Sequence, residues 1–199
     1  TEEGRAPLWE TDAIAYRLST LAGGAFWPTD ERMVEMLRWV SWGTHHFTRA
    51  ADVFYFENLI RPQFMSRPAN QTALDNAAED LAVCGPILDD ILAQRTWLVG
   101  DRPTYADFRV ATALPFAERA GIPVTQYAHI MRWHDRLNRI DAWRDPFAGL
   151  AVENLTRGRG GLPADYSDAD FVRALTHGVK RDGRSVIFIS HKLNEVLEI

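Results

Sequence analysis

A chain of 199 residues with 46% hydrophobic and 25% charged content is long enough for one well-filled core and has the make-up of a water-soluble globular protein. A net charge of −5 without any basic tract excludes a general nucleic-acid binder, and no apolar run approaches the roughly 18 residues that span a bilayer. The single cysteine, Cys84, leaves no internal disulfide and fits a reducing, cytoplasmic setting, while Thr1-Glu2-Glu3-Gly4-Arg5 has no signal-peptide character and no initiator Met, so the chain is expected to begin inside a longer protein.

In chain order, residues 6–9 read as a short strand and Glu10-Thr11-Asp12 as a turn. A helix through Ala13, Ile14, Tyr16, Leu18 and Leu21 stops at Gly23-Gly24. Pro28-Thr29-Asp30-Glu31 opens a long amphipathic helix whose apolar face is Met33, Met36, Leu37, Val40, Thr44, Phe47, Ala51 and Phe54, ending near Arg61-Pro62. Its other side carries Trp39, Trp42, His45, His46 and Tyr55, unusually aromatic for a solvated face. A further helix spans about 71–93, and Gly85-Pro86 inside it predicts a bend.

Thr104 and Asp107 stand three apart at the start of an apolar helical pattern, the spacing of a capping box. The hydroxyl accepts from a first-turn N–H and the carboxylate returns the bond to the cap residue; a lost cap of this kind costs about 1 kcal/mol. The helix it opens covers about 104–119, stopped by Gly121-Ile122-Pro123. A fourth helix runs through Tyr127, Ile130, Met131, Trp133, His134 and Leu137, and a short last one starts near Asp141. After Arg157-Gly158-Arg159-Gly160-Gly161, a linker, come a helix over 168–179, a buried-type strand at Val186–Ile189 and a helix from His191. The fold class is mainly α, a helical bundle with a small βα piece ahead of it and a short α/β tail.

The stretch Pro7-Leu8-Trp9-Glu10-Thr11-Asp12-Ala13-Ile14-Ala15-Tyr16-Arg17-Leu18 resembles the end of the thioredoxin-like domain of glutathione transferases, which reads apolar-apolar-Glu-Ser-x-Ala-Ile. Leu98-Val99-Gly100-Asp101 through Thr104-Tyr105-Ala106-Asp107 resembles the second hallmark of that superfamily, the capping box of the core helix in its all-α domain. The resemblance covers roughly residues 3–148. It implies the end of a thioredoxin-like domain over 1–24 and a transferase C-terminal helical domain over 28–148, then a linker over 149–163 and a fragmentary tail over 164–199. Ala13-Ile14-Ala15-Tyr16 and Trp39-Val40-Ser41-Trp42 are also similar to the transferase-like domain of elongation factor 1 gamma, a binding module.

By this resemblance Glu10 and Thr11 take the place of the pair that holds the γ-glutamyl end of glutathione. A carboxylate meets the ammonium, and a hydroxyl with a helix N-terminus meets the carboxylate. The alternative for the pair is a plain helix cap. Trp42, His45, His46, Tyr55 and Phe56 are candidates for the second-substrate pocket, with aromatic packing or a dimer surface as the alternative. His45 and His46 diverge by about 100° on a helix and have no evident third ligand, so no metal is expected. Cys84 reads as a small apolar residue. The thiol-activating Ser, Tyr or Cys and the cis-Pro of the family would lie upstream of Thr1, so no catalytic residue is assigned and no turnover is expected from this chain. Expected partners are glutathione and either a second copy or another protein.

In the tail, Asp165 to Val179 with Asp182-Gly183-Arg184 resembles the middle of a small c-type cytochrome. It has neither Cys-x-x-Cys-His nor a following Met, so no haem is expected. Gly183 to Leu197 resembles the switch-histidine region of an ABC-transporter ATPase. Without a phosphate-binding loop, His191 reads as an ordinary strand-end histidine and no ATP binding is expected.

Overall fold

The computed structural model describes residues 8–144 apart from Ser66. Half of the strand expected at residues 6–9 falls outside them; Leu8 and Trp9 belong to no regular element, and among the described residues there is no strand. The linker and tail expected after residue 148 lie outside the described residues. Contacts divide the chain into a unit of residues 12–146 and a second unit, of which Leu8–Thr11 are described.

Helix α1 (Thr11–Ala22) begins inside the turn expected at Glu10-Thr11-Asp12 and ends at Gly23, whose φ of +61° needs no Cβ to be accommodated. The hydroxyl of its buried Ser19 accepts from the Trp27 N–H at 2.9 Å, which folds the following segment back.

The long amphipathic helix is real but not regular. It runs from Arg32 to Phe64 as α2 (Arg32–Trp42), a π-turn (Gly43–Phe47), α3 (Thr48–Tyr55), a second π-turn (Phe56–Ile60) and α4 (Arg61–Phe64). Each π-turn takes in an extra residue and shifts the phase beyond it, but within α2, ahead of both, the buried line runs through Met36, Trp39 and Val40. Trp39, expected on the outer side, is 4% exposed, whereas Leu37, expected inside, is 47% exposed. Pro62 does not end the helix. It stands at the start of the last short turn, where a missing N–H removes least. Gly43 opens the first π-turn because α6 is pressed against it: a Cβ there would sit 2.8 Å from Val110 Cγ2.

Helix α5 (Gln71–Gln94) is N-capped by Asn70, whose side chain accepts from the Ala73 N–H at 3.3 Å. The Asn70 N–H donates in turn to Glu57 Oε2 at 2.7 Å, and Glu57, buried on the second π-turn, also pairs with Arg61 at 3.2 Å. The helix continues unbroken through Pro86. The carbonyl that Pro86 deprives of a partner belongs to Ala82, on the exposed side of the helix, where it is open to solvent. Gly85 has a separate cause. The Tyr127 ring lies against its Cα, and a Cβ would come within 2.3–2.6 Å of three of its atoms.

The α2–α4 rod and α5 run antiparallel, tied by Arg95–Glu35 at one end and by Arg49–Asp80, 2.6 Å, near the middle. The helix after the capping box is shorter than expected. Helix α6 (Tyr105–Ala111) stops, a 3-10 turn follows at Leu114–Phe116, and α7 (Ala117–Ala120) completes the stretch. Pro115 explains the break, since its ring clashes with the carbonyl of Ala111 and it has no N–H to continue α6. Gly121, φ +69°, then closes α7: its N–H donates to Glu118 O at 3.3 Å and that of buried Ile122 to Ala117 O at 2.9 Å. Helix α8 (Ala128–Leu137) has no cap of its own. Asp89 of α5 supplies one, its Oδ1 accepting from the N–H groups of His129 and Ile130 at 2.7 and 2.9 Å. Helix α9 (Asp141–Arg144) ends the described chain.

Phe47, Met36, Leu81, Leu88, Leu98, Ile130 and Trp133 form the centre of the core, each less than 2% exposed. Cys84 is buried as expected, its Sγ donating to Asp80 O at 2.8 Å, and burial pushes the thiol pKa up.

Candidate functional site

The capping box is a hub as well as a helix start. Both of its halves are present. Asp107 is fully buried, and its two oxygens serve four donors from three parts of the chain. Oδ1 accepts from the Leu98 N–H at 2.9 Å and the Trp133 indole at 3.0 Å. Oδ2 accepts from the Thr104 N–H at 2.9 Å and the Thr104 hydroxyl at 3.1 Å. Burial pushes the Asp107 carboxyl upward while those hydrogen bonds pull it back.

Two residues of the same helix reach α1. The Tyr105 hydroxyl donates to Asp12 Oδ1 at 2.6 Å, and Arg109 Nε donates to the same oxygen at 3.2 Å. Arg109 is 6% exposed, and its Nη1 has no hydrogen-bond partner among the described residues. Burial first, and then the Asp12 carboxylate, pushes the Tyr105 hydroxyl well above the usual phenol range. Aromatic rings surround the network: Trp27 stacks on Tyr105 with centroids 5.2 Å apart, and Tyr16 meets Trp27 edge-on at 5.5 Å. Sequence reasoning missed Asp12, Tyr105 and Arg109 as a group. Two are four apart on α6, but the third lies more than 90 residues earlier and no local pattern connects them.

Glu10 and Thr11 are adjacent at the opening of α1. Glu10 is exposed with φ +69°, a left-handed conformation that costs a non-glycine residue about 1–3 kcal/mol; Thr11 is half-buried as the first helical residue.

The aromatic candidates divide into two groups. Trp42 is half-buried, with Trp39 edge-on at 5.3 Å, Phe47 stacked at 6.2 Å and exposed His46 at 6.2 Å. His45 is exposed and its Nδ1 lies 2.8 Å from Ser41 O. Half-buried Tyr55, nine residues beyond His46 and so about 13 Å along the helix, packs on Phe116 at 4.7 Å, with Phe56 beside it in sequence. Among the described residues no three His, Cys, Asp or Glu side chains gather as metal ligands, and no helix is long and apolar enough to cross a membrane.

An all-α bundle built on a buried Thr–Asp capping box, with a helix entering from a Glu-Thr pair, defines the class. Residues 51–141 match the family described as "Glutathione S-transferase, C-terminal domain". The chain is 28% identical over 105 residues to "Probable glutathione S-transferase GSTF1" of Oryza sativa subsp. japonica, covering 50% of this chain and 46% of that protein. It is also 28% identical over 148 residues to "Elongation factor 1-gamma" of Schizosaccharomyces pombe, covering 70% of this chain and 35% of that protein. The chain thus spans less than half the length of these two relatives. Among solved structures, "glutathione S-transferase III in apo form" matches with a TM-score of 0.66 at 23% identity, covering 75% of this chain and 71% of the other. Glutathione transferase F2 of Populus trichocarpa matches with a TM-score of 0.66 at 20% identity, covering 73% and 70%. Residues 51–141 thus match the C-terminal domain of glutathione S-transferases, and the chain shares the fold of these solved transferases.

Proposed function

We propose that this chain binds glutathione at the opening of α1. The Glu10 carboxylate receives the γ-glutamyl ammonium, and the Thr11 hydroxyl with the first N–H groups of α1 receives the neighbouring carboxylate. The observation that carries this reading is the +69° φ of Glu10. A non-glycine residue kept in that conformation beside a helix N-terminus is costly, and such strain is characteristic of ligand-holding positions. The threonine methyl, absent from the serine usual at this place, narrows the fit. Trp42, His45, His46, Tyr55 and Phe56 are proposed to face the second substrate, and no residue of this chain is assigned to activating the thiol.

A second reading, a non-catalytic interaction module, is favoured by the match to elongation factor 1-gamma, which spans 70% of this chain. Calorimetric titration with glutathione, beside a Glu10→Ala variant, separates the two. Millimolar or tighter binding that the variant loses supports the first; no heat at several millimolar refutes it. A conjugation assay with a chloronitrobenzene substrate is expected to stay at background.

A further inference from the structure

Helix α8 turns Ile130, Trp133 and Leu137 into the core and presents Arg132 and Arg136 outward, one turn apart. Arg139 follows on the closing turn, where its N–H donates to Arg136 O at 3.2 Å. The three span about 10 Å along the axis. Among the described residues none of them forms an ion pair; Asp135, on the flank of the same helix, pairs with none. In a chain of net charge −5, three neighbouring arginines with no ion-pair partner among the described residues are a local excess of positive charge.

Two of the guanidinium groups are held in place rather than free to wander. Arg136 Nη2 donates to Thr96 O at 3.0 Å, and its guanidinium lies 5.8 Å from the Trp97 ring centroid. Arg132 Nη2 donates to His129 Nδ1 at 2.6 Å, an acceptor that brings no negative charge. Burial, with Arg132 the largest like-charge neighbour, lowers the Arg136 pKa from its usual value. A helix C-terminus favours cations in its last turn, which accounts for Arg136 and Arg139 but leaves Arg132 uncompensated.

We propose that the outer face of α8 is a docking surface for an acidic helical segment of a partner protein, its carboxylates received by Arg132, Arg136 and Arg139. All three are arginine, whose planar fork binds a carboxylate through two parallel N–H bonds, as a lysine cannot. A helix with acids at i, i+4 and i+7 repeats the same rise, so each guanidinium meets one carboxylate. A nucleic acid fits less well, because a long phosphate chain extends past a 10 Å stripe, about that length by helical rise, onto an otherwise acidic protein. The surface does not depend on glutathione binding at Glu10 and Thr11.

The test is fluorescence anisotropy at low salt with a labelled Ala/Glu helical peptide whose glutamates fall at i, i+4 and i+7. The same peptide with Gln for Glu and a single-stranded RNA of equal length serve as comparisons. The variant Arg132→Glu/Arg139→Glu leaves half-buried Arg136 and its bond to Thr96 intact. Exposed Arg119 on α7, changed to Glu, controls for net charge, and circular dichroism confirms folding of each. The expected result is saturable binding of the Glu peptide only, weakened at least about tenfold by the double variant and less than about twofold by Arg119→Glu. Absence of binding at millimolar peptide, equal losses in both variants, or tighter binding of the RNA overturns the proposal.

Discussion

Replacing Asp107 by Ala removes one carboxylate and leaves three N–H groups, those of Leu98, Thr104 and the Trp133 indole, buried without an acceptor. None of the three can turn towards water, and each such donor costs about 1–3 kcal/mol. Relief of the buried charge, whose pKa burial pushes upward, offsets part of the sum. The expected loss is therefore about 3–5 kcal/mol, several times the cost of a single lost cap, and a drop in Tm of roughly 10–20 °C. Because that loss could unfold the domain outright, Asp107→Asn is the companion variant. Its carbonyl keeps one pair of donors and its NH2 opposes the other, at a cost of roughly 2–3 kcal/mol. Urea unfolding followed by tryptophan fluorescence measures both. A loss of only about 1 kcal/mol for Asp107→Ala would refute the reasoning, since that is what a cap alone contributes.

Gly85→Ala should destabilise by about 2 kcal/mol, because the overlap with the Tyr127 ring outweighs the roughly 1 kcal/mol that alanine gains in a helix; stabilisation in urea titration would contradict the close approach. Asp12→Ala strands the Arg109 side chain, 7% exposed, at a cost of about 1–3 kcal/mol given that Asp12 is 41% exposed. Adding Arg109→Met should recover part of that loss, and additive losses in thermal melts would argue against the pairing. His134 is buried, its Nε2 has no hydrogen-bond partner among the described residues, and burial lowers its pKa. The unfolded chain then binds the proton more readily, so stability is full above about pH 6.5 and falls as pH drops below it. Tm measured against pH should fall less steeply for His134→Gln over that range, and identical slopes would refute the assignment.

Where a signal was local, it was legible in the sequence. Thr104 and Asp107 announced the start of α6, and Gly121 announced the stop after α7, because each rests on backbone bonds within a few residues. The helical bundle followed from those signals. The faces of the long helix were read less well. In α2 Trp39 takes the buried side in place of Leu37, and the contacts that single out Gly43, against Val110, and Glu57, reaching the Asn70 N–H, are made with other segments. Pro115 was a local signal for the break after Ala111 that the apolar periodicity masked. The reach of Asp107 to Leu98 and Trp133, and of Asp12 to Tyr105 and Arg109, depends on the tertiary fold and has no local trace.

The Asp89 cap makes the beginning of α8 conditional on a neighbour. With Tyr127 contributing no side-chain bond at that end, the first N–H groups of α8 find their acceptor only once α5 is formed and lies alongside. The two helices should consequently open and close as one cooperative segment, with matching hydrogen-exchange protection at His129, Ile130 and the middle of α5. A peptide covering α8 alone, only 10 residues long, should be largely unstructured in water. The helix bearing the arginine stripe is thus held in register by the carboxylate of its neighbour and not by its own sequence.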